Sequence, residues 1–77
     1  MTVFETIRRI LADQLELDPE QITEETDIAR DLGADSLDVV EMITTIEDEY
    51  GIIITDESVN EFTTVGDVTR FIEKLVG

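Results

Sequence analysis

Ser36 is the side chain best placed to do chemistry, in the run Asp31-Leu32-Gly33-Ala34-Asp35-Ser36-Leu37-Asp38. A serine hydroxyl becomes a strong nucleophile when a neighbouring base takes its proton, and that base is most often histidine. The chain contains no His and no Cys. Nucleophile-histidine pairs, thiolate chemistry, disulfides and the common zinc sites are thereby excluded, and with them most enzyme classes. The sequence therefore reads as a protein without catalysis of its own.

The remaining reactive groups are carboxylates, twenty Asp and Glu against five Lys and Arg, for a formal net charge of −15. Such a charge repels nucleic-acid phosphates and anionic membranes and attracts basic protein surfaces. Eleven of the carboxylates lie between Arg30 and Arg70, a stretch with no basic residue at all. The acidity is local, because Arg8, Arg9, Arg70 and Lys74 sit in the terminal segments. A calcium loop would need oxygen ligands at alternate positions around a central glycine. Neither 27–38 nor 48–57 has that spacing, and no metal is expected. An acidic adaptor or nucleic-acid mimic would use the charge but would have no need of Ser36.

The elements that position Ser36 follow from hydrophobic spacing. Val3, Phe4, Ile7, Ile10, Leu11 and Leu15 recur at intervals of three and four, predicting a helix from Val3 to Leu15 with Thr2 and Glu5 as a capping box. Residues 16–35, with Pro19, Gly33, many acids and scattered apolar anchors, read as a long ordered loop without regular structure. A second helix is expected from Ser36 to Tyr50, with Asp35 as N-cap, Asp38 completing a capping box and Gly51 just past its end. Ile52-Ile53-Ile54 reads as a loop feeding the core, since no second strand is available to it. Thr55 would cap a short helix over Asp56 to Glu61. Thr64 and Asp67 would cap a last helix from Val65 to Val76. The expectation is one all-α domain over residues 1–77, a four-helix bundle of three longer helices and one short one, with a long loop between the first two.

The second helix has one apolar face too many. At about 100° per residue, Val39, Met42, Ile43, Ile46 and Tyr50 form a core stripe, and Leu37 and Val40 fall outside it among Glu41, Thr44, Glu47 and Asp48. A small apolar centre in a single-signed acidic field reads as a docking surface for a basic groove.

The run from Asp31 to Asp38, with Thr64-Val65-Gly66-Asp67-Val68 opening the last helix and Glu47-Asp48-Glu49-Tyr50-Gly51 closing the second, strongly resembles the acyl carrier proteins. The resemblance covers nearly the whole chain. It implies that Ser36, flanked by Asp35 and Leu37, receives a 4′-phosphopantetheine arm from coenzyme A through a phosphopantetheinyl transferase. Acyl groups would then ride on the arm as thioesters. A phosphate on a first-turn hydroxyl would sit beside unsatisfied backbone N–H groups and the positive end of the helix dipole, which suits the position. The resemblance also implies that Asp38, Val40, Glu41, Thr44, Glu47 and Asp48 meet basic partner enzymes. Ile43, Ile46, Tyr50, Ile54 and Phe62 would line an apolar cavity for the acyl chain. Thr44 departs from the family, whose docking face often has a larger apolar residue there. Glu16 stands where a glycine is frequent.

The implied role is delivery of intermediates to fatty-acid synthesis enzymes, the alternative being a carrier for polyketide or another specialised acyl pathway. With no membrane-spanning run and no signal-like N-terminus, a free-standing cytoplasmic monomer is expected. Charge reversal at Asp38 or Glu41 is expected to impair partner enzymes more than folding.

Overall fold

Each helix begins on a polar side chain that occupies backbone N–H groups left without an intrahelical partner. In the computed structural model, which describes residues 2–77, the first helix, α1 (Val3–Leu15), starts at Thr2. The Thr2 hydroxyl accepts from the Glu5 amide at 3.1 Å, and Glu5 Oε1 accepts from the Thr2 amide at 2.8 Å. The second helix, α2 (Ser36–Tyr50), has the reciprocal pair Asp35 and Asp38. A third, α3 (Asp56–Val59), is capped by Thr55, and a fourth, α4 (Val65–Val76), by Thr64 with Asp67. The expected bundle of three longer helices and one short one is the observed fold.

Two expected boundaries differ. The loop between α1 and α2 is not free of regular structure, because Pro19–Gln21 forms one 3-10 turn. Proline at its first position brings a preset φ, and Asp18 caps the turn by accepting from the Glu20 amide at 2.9 Å. The short helix stops at Val59 rather than Glu61. Beyond Asn60 the amides of Glu61 and Phe62 bond only three residues back, to Ser58 and Val59, so the chain tightens and leaves the helical path.

Helix α1 packs against both α2 and α4. Ile7, Ile10 and Leu11 of α1 meet Met42, Ile43 and Ile46 of α2 and Val65, Val68 and Ile72 of α4 in one buried core. The long loop joins that core through Ile22, Ile28 and Ala34, all buried. Its middle is tied to the start of α4. Thr26 and Glu24 carbonyls accept from the Val65 and Gly66 amides at 2.9 and 2.8 Å, and the Ile28 amide donates to the Thr63 carbonyl at 3.0 Å. The loop is thus a fixed strap, and its far end delivers the chain to the start of α2.

Candidate functional site

The strap ends in a tight entry to α2. Gly33 adopts φ +69°, a conformation that glycine takes without a Cβ penalty, and its amide donates to the Ala29 carbonyl at 3.1 Å. Ala34 is buried in the core and its amide donates to the Ile28 carbonyl at 3.2 Å. With Ala34 fixed inward, Asp35, Ser36 and Leu37 are left on the outside. Asp35 Oδ1 accepts from the Asp38 amide at 2.9 Å, and Asp38 Oδ2 accepts from the Asp35 amide at 3.2 Å. Gln14 of α1 donates to the Asp38 carbonyl at 2.7 Å and holds this first turn against the bundle.

Ser36 is the first residue of α2 and is exposed. Among the described residues its hydroxyl and the amides of Ser36 and Leu37 have no hydrogen-bond partner. A free hydroxyl therefore stands beside two free N–H groups at the positive end of a fifteen-residue helix. That arrangement suits an anionic ester of the hydroxyl, because the N–H groups and the dipole offset the charge of the nearby cap carboxylates. Among the described residues no group of three or more His, Cys, Asp or Glu is arranged to hold a metal ion.

Two features surround the hydroxyl. On the outer face of α2, Leu37 and Val40 are 69% and 57% exposed, with Glu41, Thr44 and Asp48 also exposed around them. On the other side, a cleft of about 450 Å³ opens between the start of α2 and α3. Ser36 stands on its rim, and Val39, Val40, Val59 and Phe62 supply its apolar wall.

Known proteins agree with this geometry. Residues 5–72 match the family described as a phosphopantetheine attachment site. The chain is 45% identical over 73 residues to the acyl carrier protein of Wolinella succinogenes, covering 95% of this chain and 96% of that one. It is 47% identical to the acyl carrier protein of Helicobacter pylori strain G27, covering 95% and 94%. The chain belongs to the acyl carrier proteins. A Mycobacterium tuberculosis structure described as an acyl carrier protein superposes with a TM-score of 0.90 at 32% identity, covering 96% of this chain and 99% of that one. The family's group is 4′-phosphopantetheine, and the free hydroxyl and amides at the start of α2 fit its phosphate.

As an acyl carrier protein, the chain divides its acidic face into two kinds of carboxylate. The Glu41 and Asp48 carboxylates accept no hydrogen bond among the described residues and are exposed to a basic partner, Glu41 using only its backbone carbonyl, which accepts from the Thr45 hydroxyl. Asp38 is engaged in the cap, and Glu47 Oε2 accepts from the Ile54 amide at 2.8 Å, tying the chain after α2 back onto the helix. Asp38 makes the capping-box bonds expected of it, so it bears on the first turn of α2 as well as on the surface. Glu49, the remaining acid of the last turns, is spent on an ion pair with Arg9 of α1 at 2.8 Å.

The residues expected to line an acyl cavity are not gathered around the open cleft. Phe62 lines it, whereas Ile43, Ile46 and Ile54 are buried in the core and Tyr50 is half-buried against it. The space beside Ser36 is walled instead by Val39, Val40 and Val59. The helical period assigns Val39 to the core stripe and Val40 to the outer face. Val59 could have been found only from the position of α3, which four residues of sequence do not fix.

Proposed function

We propose that Ser36 carries the 4′-phosphopantetheine arm and that the protein delivers acyl groups, held as thioesters on that arm, to the enzymes of fatty-acid synthesis. The observation that carries this reading is the exposed, unbonded Ser36 hydroxyl on the first turn of α2 with two free amides beside it. When bound, the arm supplies a terminal thiol, which this cysteine-free chain lacks. The chain's own residues do the rest. Asp35 and Asp38 fix the turn that presents Ser36, and the free Ser36 and Leu37 amides would hold the attached phosphate. The apolar wall of Val39, Val40, Val59 and Phe62 offers an acyl chain a first sheltered surface. Passage further in, toward Ile43, Ile46 and Ile54, requires those core side chains to part.

The partners in this reading are a phosphopantetheinyl transferase and acyl-transferring enzymes whose basic surfaces meet Leu37, Val40, Glu41, Thr44 and Asp48. The protein itself is not an enzyme and works as a cytoplasmic monomer. A net charge of −15 on a chain of 77 residues opposes self-association and favours cationic partners. Incubation with coenzyme A and a broadly tolerant phosphopantetheinyl transferase, followed by intact mass measurement, tests the assignment. The expected result is a gain of one phosphopantetheine that is abolished in Ser36→Ala. No gain on the wild-type chain would sink it.

A further inference from the structure

The segment after α2 presents an apolar residue to solvent with no structural need to do so. Ile52, Ile53 and Ile54 lie between α2 and α3, in no helix or strand, and their burial alternates along the chain. Ile54 is buried and Ile52 half-buried, which turns Ile53 outward until 85% of it is exposed. It is the most exposed of the large hydrophobic residues in the described chain. A segment serving only to connect α2 to α3 would be as stable with a polar residue at that position.

The position of Ile53 gives this exposure a use. The Ile52 amide donates to the Glu47 carbonyl at 3.2 Å and the Ile54 amide to the Glu47 carboxylate at 2.8 Å. The two neighbours of Ile53 are therefore tied to Glu47 in the last turn of α2. Leu37, Val40, Thr44 and Glu47 follow one another at spacings of three and four, along one side of that helix. Glu47 lies ten residues beyond Leu37, about 15 Å along the axis. An interface of standard size covers about 800 Å² on each partner, a patch about 30 Å across. An enzyme whose active site reaches Ser36 and whose surface follows α2 as far as Glu47 thus comes to the segment that carries Ile53. The intervening position holds Thr44, whose hydroxyl is turned back to the Val40 carbonyl at 3.0 Å, so the apolar contact between the two ends is slight. The surrounding charges, Glu47, Asp48, Asp56 and Glu57, are all negative.

We propose that Ile53 is a second apolar contact for the cationic enzyme that modifies Ser36, seated in an apolar recess of that enzyme beyond the end of α2 remote from Ser36. This rests on the carrier reading. The two fail separately in one experiment, in which a phosphopantetheinyl transferase and coenzyme A are used with the wild-type chain, Ile53→Ala and Ile53→Asp, and KM and kcat for the carrier are followed by intact mass. Ile53→Asp adds a carboxylate, which a purely electrostatic dock would welcome with an equal or lower KM. An apolar contact gives the opposite sign, with KM raised about fivefold in Ile53→Ala and about tenfold or more in Ile53→Asp, kcat nearly unchanged. The thermal midpoints of both variants should match the wild type, because the side chain is in solvent. Modification of all three proteins with the same KM, or a lower KM for Ile53→Asp, would overturn the role of Ile53 and leave the carrier reading standing. Failure to modify even the wild-type chain would overturn both.

Discussion

Helices α1 and α2 close on the same backbone motif with different residues, and the difference makes a sharp prediction. The residue past each helix is left-handed, Glu16 at φ 57°, ψ 48° and Gly51 at φ 65°, ψ 40°. In both cases the next amide reaches back five residues, Leu17 to the Ala12 carbonyl at 2.9 Å and Ile52 to the Glu47 carbonyl at 3.2 Å. Glycine adopts this conformation freely, whereas a residue with a Cβ is strained by about 1 kcal/mol. Glu16 also sets a carboxylate at the negative end of a helix dipole, unfavourable by about 0.3–1 kcal/mol at an exposed site. No basic residue in the last turn of α1 offsets it. After a deduction of about 0.5 kcal/mol for the freedom glycine adds to the unfolded chain, Glu16→Gly should stabilise the protein by about 1 kcal/mol. For a domain of this size that raises the midpoint by about 4–8 °C. Thermal unfolding followed by circular dichroism, at low and high salt, separates the two contributions. Glu16→Gln removes only the charge, so its smaller gain should fade in salt, and the excess of Glu16→Gly over Glu16→Gln should persist. Equal stability of these two variants at high salt would refute the backbone argument. Gly51→Glu, the mirror substitution, should lose about 1 kcal/mol or more.

Further expectations follow from the caps and contacts. Asp38→Lys should lose about 1–2 kcal/mol of stability in urea titration, through the lost cap and a cation at a helix N-terminus, while Glu41→Lys should leave stability within about 0.5 kcal/mol. Both should impair transferase loading, so the pair separates docking from folding. Gly66→Ala would set a Cβ 2.8 Å from the Glu24 carbonyl oxygen, the same atom that accepts the Gly66 amide. The strap must shift, at a cost of about 1–3 kcal/mol by chemical denaturation, and an unchanged midpoint would contradict that. The Asp67 carboxyl is held below its ordinary value of 3.8, chiefly by accepting from the Thr64 and Thr63 amides and further by Arg70. A depressed carboxylate contributes stability that is present above its unfolded value and lost as pH falls through the folded one. The gap in stability between wild type and Asp67→Asn should therefore be full at pH 7 and shrink below about pH 4, and a gap constant from pH 7 to pH 2.5 would exclude this origin.

How much of this was legible in the sequence depends on the range of the interaction concerned. Capping is local, a side chain bonding an amide three residues away, so Thr2, Asp35, Thr55 and Thr64 could be assigned as caps from type and spacing alone. The start of α2 at Ser36, the core stripe of Met42, Ile43 and Ile46, and the outward Leu37 and Val40 are likewise fixed by a period of 3.6. The 3-10 turn at Pro19 is not legible in the sequence, because three residues carry no period to read.

Tertiary structure decided which carboxylates are free and where the open space lies. Spacing alone marks Asp38 as a cap residue. Glu47 and Asp48 look alike in sequence, yet the Glu47 carboxylate is bonded to a loop amide seven residues on and the Asp48 carboxylate to nothing in the described chain. Residues 24–28 of the strap are bonded to the start of α4 nearly forty residues later, and that is what leaves no room for a Cβ at Gly66 without a shift of the strap. The cleft beside Ser36 depends on where α3 comes to rest against α2. The sequence alone determined the helices, their caps and the serine at the mouth of one of them, because those follow from neighbours in the chain. The strap, the cleft and the exposed Ile53 arise from contacts between distant segments, and only packing could reveal them.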